Sequence, residues 1–293
     1  MLIGKIKEIW RYPVKSLGGG ILESVNVHEH GIAGDRGWAL VDGQTGDICS
    51  AKKFPKLLNL MATYDSDPNS GVVYGDRIPS VSIHFPDGRE CVSADNQAAA
   101  ISEFAGRPLK LHTLEPPENL DHYRMSEPLS EAEFMRALNV KPGEDGPDLS
   151  EFDPGIIQTL MEYNSPPGNY YDVSPLHLLT TAALEHMSAE SGEIFDRRRF
   201  RPNLFVETLP SIEGIAEFDW VGRRLQIGNV LLKVESRTIR CSMPSREQAN
   251  FGLVQNGKIS KALYLNTNRY LGVNLTVVQT GLLRAGDEVE LVD

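Results

Sequence analysis

The 293-residue chain has few cysteines and none of the patterns that define common metal and nucleotide sites. Its three cysteines, Cys49, Cys91 and Cys241, are far apart, and no CxxC pair is present. An odd, scattered set argues against a disulfide framework, a zinc cluster and cysteine-bound iron–sulfur. Neither GxxxxGK[ST] nor GxGxxG occurs, so the chain carries no familiar nucleotide-binding motif.

Excess positive charge is also missing. The chain has 29 Lys and Arg against 40 Asp and Glu, a formal net charge of −11. Such a protein is a poor general binder of nucleic acid or of anionic membranes, so any basic site has to be local. We find no signal peptide and no apolar run long enough to span a bilayer. These features, together with the scattered cysteines, predict a cytoplasmic protein with no nucleic-acid or membrane partner.

The order of predicted elements divides the chain into three parts. Residues 1–115 read mostly as short strands, residues 116–170 as a connecting segment rich in proline and acidic residues, and residues 171–293 as a second β-rich unit. Short strands with turns at regular intervals favour a barrel or a sandwich. A helix is predicted to begin at Ser174 with Pro175 in its first turn, and Ser130 with Glu133 forms a capping box.

Several segments offer groups that suit a small anion. A lysine–serine pair precedes three glycines, one arginine follows a glycine-shaped turn, and an arginine and an asparagine flank Pro202. The residues are Lys15, Ser16, Arg36, Arg201 and Asn203. Ser174 joins them because a helix N-terminus attracts anions. Taken singly, each segment is also compatible with an ordinary role: a strand end with a turn, a surface loop, a solvated arginine face or plain helix capping.

Cys241 is the cysteine with the most unusual neighbours. Arg237 and Arg240 precede it and Pro244 follows. Nearby positive charge stabilises a thiolate, which acts as a nucleophile or as a soft metal ligand. The alternative is a small buried apolar residue, the commonest role of a free cysteine. The combined segments predict a multiply anionic cofactor held by Lys and Arg and facing a thiolate.

The same segments resemble a known family. They are Tyr12-Pro13-Val14-Lys15-Ser16, the stretch from Gly31 to Asp42, Phe200-Arg201-Pro202-Asn203-Leu204, Trp220 to Gly228, and Arg240-Cys241. In order and over nearly the whole chain, they are similar to MOSC proteins, named after the molybdenum cofactor sulfurase C-terminal domain. The resemblance implies an α+β, mainly β fold with few helices. A β-barrel MOSC domain, residues 171–293, would pack against an N-terminal β-rich domain, residues 1–115.

The resemblance also implies a molybdenum–molybdopterin cofactor, and the family is further associated with pyridoxal phosphate binding. Cys241 matches the family's metal ligand and is therefore the catalytic cysteine. Lys15, Ser16 and Arg36 match residues that hold the pterin and its phosphate, and Arg201 with Asn203 matches a further pair. Ser174 and Arg240 lie where the family also contacts the cofactor.

The implied activity is the two-electron reduction of small N-hydroxylated or N-oxide substrates. We expect no ferredoxin domain in the chain, which ends at Asp293, so a separate ferredoxin- or flavin-type protein would supply the electrons. The stretch from Ser242 to Gln248 differs from the Thr-Thr-Val-Asp-Pro-like stretch of amidoxime reductases and would border the metal. The competing class is a carrier that holds the molybdenum cofactor, or sulfur, on Cys241.

Overall fold

A computed structural model describes residues 1–92 and 94–293. The helices are α1 (Ala94–Ala105), α2 (Leu120–Tyr123), α3 (Glu131–Ala137), α4 (Pro154–Glu162), α5 (Thr181–Ser191) and α6 (Gly257–Thr267). The strands are β1 (Leu2–Arg11), β2 (Gly20–Leu22), β3 (Ser24–His28), β4 (Gly31–Ile32), β5 (Trp38–Asp42), β6 (Met61–Tyr64), β7 (Val81–His84), β8 (Glu90–Cys91), β9 (Leu109–Thr113), β10 (Leu176–Thr180), β11 (Leu204–Thr208), β12 (Arg224–Ile227), β13 (Val230–Ile239), β14 (Tyr270–Gln279), β15 (Gly281–Arg284) and β16 (Glu288–Val292).

Within the described residues, seven strands close into a barrel in the order β11-β10-β14-β13-β12-β16-β1. Pairing of β1 with β11 completes the ring, and β2 extends it beside β1. Strands β10 and β11 run parallel, whereas the other neighbours in the ring are antiparallel. Closure removes the exposed edges that an open sheet would leave. The mainly β fold with few helices predicted from the sequence is confirmed.

The first strand belongs to the barrel rather than to a separate N-terminal unit. Ile3, Ile6 and Ile9 on β1 are fully buried in a core that they share with Leu225 and Val289 near the C-terminus. Burying these isoleucines stabilises the fold by about 1.5–3 kcal/mol each, so β1 and the C-terminal strands depend on one another. The predicted division at residue 115 thus separates strands that pack in one core, and the domain boundaries stay predictions.

The rest of the N-terminal half has its own core. Strands β5 and β9 form one pair, strands β6, β7 and β8 form a second small sheet, and α1 follows them. Leu40, Leu57, Ile83 and Ile101 are fully buried in the core between these elements. This core lies outside the barrel, and the segments that contain Lys15 and Lys52 pack against it.

The helix predicted to begin at Ser174 begins at Thr181 instead. Residues Leu176–Thr180 form β10, all five are buried, and Thr180 is the residue that caps α5 by accepting a hydrogen bond from the N–H of Ala183. A strand buried on both faces lacks the polar–apolar alternation that reveals most strands, so its leucines resembled a helical stripe. The capping box of Ser130 and Glu133 at the start of α3 is confirmed.

The described helices include none with both the length and the apolarity needed to cross a bilayer.

Two adjacent glycines after Lys15 differ in how closely other backbone atoms approach them. A Cβ on Gly19 would lie well inside van der Waals contact of the Arg11 carbonyl oxygen, whereas a Cβ on Gly20 would meet nothing within 4 Å. Gly18 is engaged as well, since its N–H donates to Leu60. Gly18 and Gly19 therefore allow close packing of backbone segments and do not form an open phosphate-binding loop.

We expect Gly19→Ala to lower the free energy of unfolding by about 1–3 kcal/mol, because the added methyl group forces the backbone apart. Gly20→Ala is the matched control and should have little effect. Urea denaturation followed by circular dichroism measures both. Equal stabilities of the two variants would contradict the packing role of Gly19.

Candidate functional site

A cavity of about 250 Å³ lies where the barrel, the N-terminal half and the connecting segment meet. It brings together six of the eight site residues predicted from the sequence. These are Arg36, Ser174, Arg201, Asn203, Arg240 and Cys241. Lys15 and Ser16 lie behind the cavity lining: Lys15 contacts Asp172, which lines the cavity, and Ser16 contacts Ala51, which lies between the lining residues Ser50 and Lys52. Segments up to about 200 residues apart in sequence therefore converge on one site.

The cavity is strongly cationic although the chain is acidic. Six cationic side chains line it, and Asp172 is the one carboxylate among its lining residues in the described part of the chain. Three of these cations were not singled out from the sequence: Lys52, Lys53 and Arg199. Clustered positive charge in a concave, partly desolvated site attracts an anion much more strongly than the same charges on an open surface.

Lys15 is a buried cation whose partner faces the cavity. The residue is 2% exposed, and Nζ donates to Asp172 Oδ1 at 2.7 Å and to the Tyr170 carbonyl at 3.0 Å. Burial lowers the pKa of Lys15, against the attraction of Asp172. Burial also opposes the charge of Asp172, but Lys15 and Lys52 hold the pKa of that carboxyl well below its usual range. The hydroxyl of Ser16 accepts from the N–H of Ala51 at 3.0 Å and so fixes the segment that carries Lys52.

Tyr12 carries an arginine over its ring at each of two positions. The guanidinium of Arg201 lies 4.2 Å from the ring centroid and that of Arg36 lies 5.2 Å from it. Arg36 is also paired with the carboxylate of Asp35. Burial lowers the pKa of Arg201 to about 10, so it remains charged at neutral pH. Nη2 of Arg201 is buried and has no hydrogen-bond partner among the described residues, which leaves a donor for a bound anion.

Three of the predicted site residues have left-handed backbone conformations. The φ angles are +71° at Ser16, +51° at Arg36 and +54° at Arg201. Non-glycine residues rarely adopt this region, and a conformation of this kind costs of order 1–3 kcal/mol. Strain of this kind persists where the surroundings enforce it, and it collects at functional sites. This clustering is a structural signal that composition and spacing do not contain.

Arg240 is held rigidly at the back of the cavity. Nε donates to the Leu271 carbonyl at 2.8 Å, Nη1 to the Phe200 carbonyl at 3.3 Å and Nη2 to Nε2 of His177. Because arginine can only donate, Nε2 of His177 must be unprotonated and accept. Burial, followed by the charge of Arg240, holds the pKa of His177 well below its usual range. Burial lowers the pKa of Arg240 to about 9.

Cys241 lies two residues after the end of β13 and is partly exposed on the cavity wall. Of the two arginines expected beside Cys241, only Arg240 lies there. Arg237 points elsewhere: it is ion-paired with Glu151 and lies 4.2 Å from the centroid of the Tyr270 ring. The second cation beside Cys241 is instead Lys52. Burial opposes the charge of Lys52, but Asp172 and Cys241 raise its pKa above the usual value.

The side chains of the two remaining predicted residues, Asn203 and Ser174, form hydrogen bonds with backbone groups. Both polar groups of the Asn203 side chain bond to backbone, since Oδ1 accepts from the N–H of His177 at 3.2 Å and Nδ2 donates to the Trp10 carbonyl at 3.3 Å. Ser174 lies before a strand rather than at a helix start, and its hydroxyl donates to the Leu275 carbonyl at 2.6 Å. The helix N-terminus expected at Ser174 to bind an anion is therefore absent from this position.

A solvated face was the alternative role for the arginines from Arg197 to Arg199, but Arg199 is buried. Arg199 donates to the carbonyls of Pro244, Arg246 and Val254 at 3.1, 3.2 and 2.9 Å. These bonds hold the stretch after Cys241 in one conformation. In the described residues no group of three or more His, Cys, Asp and Glu side chains is placed to hold a metal ion.

Two protein-family models match the chain. Residues 3–102 match the MOSC N-terminal beta barrel domain, and residues 167–290 match the MOSC domain. The chain therefore contains a MOSC N-terminal beta barrel domain followed by a MOSC domain, as the sequence motifs predicted. Residues 103–166 lie outside both matches.

Among curated proteins, mitochondrial amidoxime-reducing component 1 of Homo sapiens is 24% identical to the chain over 262 residues. The match covers 82% of the chain and 64% of that protein, so the chain spans less than two thirds of its relative's length. Among solved structures, the YUAD protein from Bacillus subtilis is 10% identical with a TM-score of 0.46, covering 99% of this chain and 96% of that one. YiiM from Geobacillus stearothermophilus is 20% identical with a TM-score of 0.31, covering 41% of this chain and 55% of that one.

A buried carboxyl lies behind Arg240 and was missed in the sequence. Glu217 is fully buried, accepts a hydrogen bond from the Thr180 hydroxyl at 2.9 Å and lies close enough to Arg240 to feel its charge. Burial raises the pKa of Glu217 from 4.5 to about 7. A carboxyl with a raised folded-state pKa stabilises the fold fully below its unfolded-state value, and that contribution is lost as the pH rises through the folded-state pKa.

The native protein should lose stability as the pH rises from 4.5 to about 7, because Glu217 ionises. We expect Glu217→Gln, which cannot ionise, not to show this loss. The free energy of unfolding of the variant should exceed that of the native protein by up to about 3 kcal/mol at alkaline pH and by little at pH 4.5. Urea titrations across this range measure the difference. Glu213→Gln, at an exposed position on the same segment, is the control. A difference that does not change with pH would contradict the raised pKa of Glu217.

Proposed function

We propose that this protein binds a molybdenum–molybdopterin cofactor in the cationic cavity and reduces small N-hydroxylated or N-oxide compounds. The observation that carries the proposal is the position of one partly exposed cysteine, Cys241, on the wall of a cavity lined by six cations in a chain of net charge −11. MOSC domains are associated with molybdenum cofactor binding. The amidoxime-reducing relative supports a reductive activity.

The residues present fit the chemistry of such a cofactor. Its phosphate and pterin need several hydrogen-bond donors and positive charge, and Arg201 offers a buried donor without a partner. Arg36 and Lys52 also line the cavity, and both lie close enough to Asp172 to help lower the pKa of its carboxyl. A thiolate at Cys241 is a soft ligand of the kind that suits molybdenum. Left-handed backbone at Arg36 and Arg201 shows that the fold maintains these side chains in place at a cost.

The division of roles follows from the contacts. Cys241 would supply the protein ligand to the metal, and Arg36, Arg201 and Lys52 would bind the anionic part of the cofactor. Lys15 keeps Asp172 ionised and oriented, and through it limits the positive charge of the cavity. When bound, the molybdenum centre supplies two-electron redox chemistry that no side chain provides.

Neutral His177 has a positioning role. It accepts a hydrogen bond from Arg240 and so fixes the guanidinium beside Cys241 without adding a second positive charge. Arg199 holds the stretch from Pro244 to Val254 against the cavity. These residues keep the site ordered before any ligand arrives, which reduces the entropy lost on binding.

The electrons would come from a separate ferredoxin- or flavin-type protein. A carrier of molybdenum cofactor or of sulfur is the competing class, in which Cys241 would release its cargo to another protein. Molybdenum and pterin retained through purification, with turnover of an amidoxime by an artificial electron donor, support the enzyme. Metal-free protein with persulfide on Cys241 would favour the carrier, and a bound pyridoxal phosphate chromophore would contradict both.

We expect Cys241→Ser to lose molybdenum and abolish molybdenum-dependent reduction of benzamidoxime while the fold stays intact, because a hydroxyl is a poor substitute for a soft thiolate. Metal analysis, the reductase assay and circular dichroism on protein from a cofactor-producing host measure the three properties. Cys91→Ser is the matched control, since Cys91 is a partly exposed thiol on β8 away from the cavity. Full activity of Cys241→Ser would overturn the assignment.

We expect Arg36→Ala to weaken retention of the pterin by about tenfold or more, because a charge-assisted hydrogen bond contributes roughly 1.5–3 kcal/mol. Lys15→Ala should weaken it indirectly, because the Asp172 carboxylate at the cavity loses its hydrogen-bonded cation. Fluorescence of the oxidised pterin released from purified protein measures the stoichiometry. Lys5→Ala removes one exposed positive charge from the barrel surface and should leave the pterin content unchanged. Unchanged pterin in both the Lys15 and the Arg36 variant would refute these roles.

A further inference from the structure

Ten residues of the cavity lining are apolar or aromatic and come from the connecting segment. We call this set the apolar wall; its residues are Met125, Leu129, Phe134, Ala137, Leu138, Leu149, Phe152, Ile157, Leu160 and Tyr163. All of them fall within residues 103–166, outside both family matches. The cations and Cys241 fall inside the matched ranges, whereas none of the wall residues does. The two halves of the cavity therefore have different sequence origins.

The apolar wall is incompletely covered by the protein itself. Helix α4 presents Ile157 and Leu160 to the cavity, and none of its residues is fully buried. Leu138 and Phe152, before it in the chain, are likewise only partly buried. Leaving apolar surface in contact with water costs about 25 cal/mol per Å², so an apolar ligand that covers this surface is favoured.

Ion pairs and hydrogen bonds fix the connecting segment to the rest of the molecule. Glu151 pairs with Arg237 on β13, and Glu144 pairs with Arg269, whose side chain is 2% exposed. At its other end, Asp47 accepts hydrogen bonds from Ser126 at 2.7 and 2.9 Å. The wall is thus held at a set position over the cavity, and a ligand does not have to order it on binding.

We propose that the substrate is amphipathic: its N-oxygenated head lies at the cationic end beside Cys241, and a hydrocarbon tail lies along the apolar wall. The identity of the head rests on the proposed function, whereas the tail follows from the wall alone. A small, wholly polar substrate would leave the wall uncovered. The connecting segment therefore determines specificity for the tail, and the residues within the family matches bind the head and its cofactor.

The test is a series of straight-chain hydroxamic acids, from acetohydroxamic to octanohydroxamic acid, titrated calorimetrically into the full chain as purified. These probes share one N-hydroxylated head and differ only in tail length. We expect the affinity to rise about fourfold for each added methylene group until the wall is covered. An affinity independent of tail length would overturn the inference and would be the result if the wall instead contacts a protein partner.

Two neighbouring isoleucines of α4 provide matched variants. Ile157 lines the cavity, whereas Ile156 is 41% exposed and does not line it. Ile157→Ala should weaken octanohydroxamic acid by about tenfold and leave acetohydroxamic acid unchanged. Ile156→Ala should change neither. Because neither residue is buried in a core, both variants are expected to fold, and thermal unfolding checks this. Equal effects of the two substitutions would contradict the assigned wall.

The binding series and the reductase assay separate the two proposals. Tail-dependent binding in protein that holds no molybdenum and reduces no amidoxime would preserve the wall and refute the proposed function. Molybdenum-dependent reduction with kcat/KM and binding both independent of tail length would preserve the function and refute the amphipathic substrate.

Discussion

The site depends on one hydrogen-bonded junction at Asn203. The N–H of Trp10 donates to the Asn203 carbonyl, and the N–H of Asn203 donates to the His177 carbonyl, both at 2.8 Å. The Asn203 side chain bonds to the same two residues, so the ends of β1, β10 and β11 are tied at one point. His177 then fixes Arg240, the residue before Cys241. Barrel closure and the placement of the thiol are therefore parts of one network.

The sequence was informative where chemistry is local. Cys241, Arg240, Arg36 and Arg201 stand out because each lies beside a turn or a proline, and the structure brings all four to one cavity. Contacts between distant segments were not predictable in the same way. Arg237 was expected beside the thiol, yet it is paired with Glu151, which is 86 residues earlier in the chain.

The missed residues show why the rest could not be inferred. Lys52 and Asp172 have unremarkable neighbours in sequence, and their importance comes from their shared position with Lys15 in the folded chain. The misplaced helix has a related cause. Leu176 and Leu179 lie at helical spacing from residues of α5, but the strand pairing of β10 with β11 and β14 decides their conformation. Tertiary pairing overrides local periodicity where a segment is wholly buried.

The two parts of the cavity lining differ in how tightly the surrounding backbone constrains them. The cationic half carries strained backbone at Ser16, Arg36 and Arg201, and strain of this kind is tolerated only where the surrounding structure enforces it. Substitutions there disturb the fold and the site together. The ion pairs of Glu144 and Glu151 attach the apolar wall, and neither involves Asn203, so the side chains of the wall can change without breaking the Asn203 junction. A new tail specificity can therefore arise in the connecting segment while the cationic half keeps its geometry.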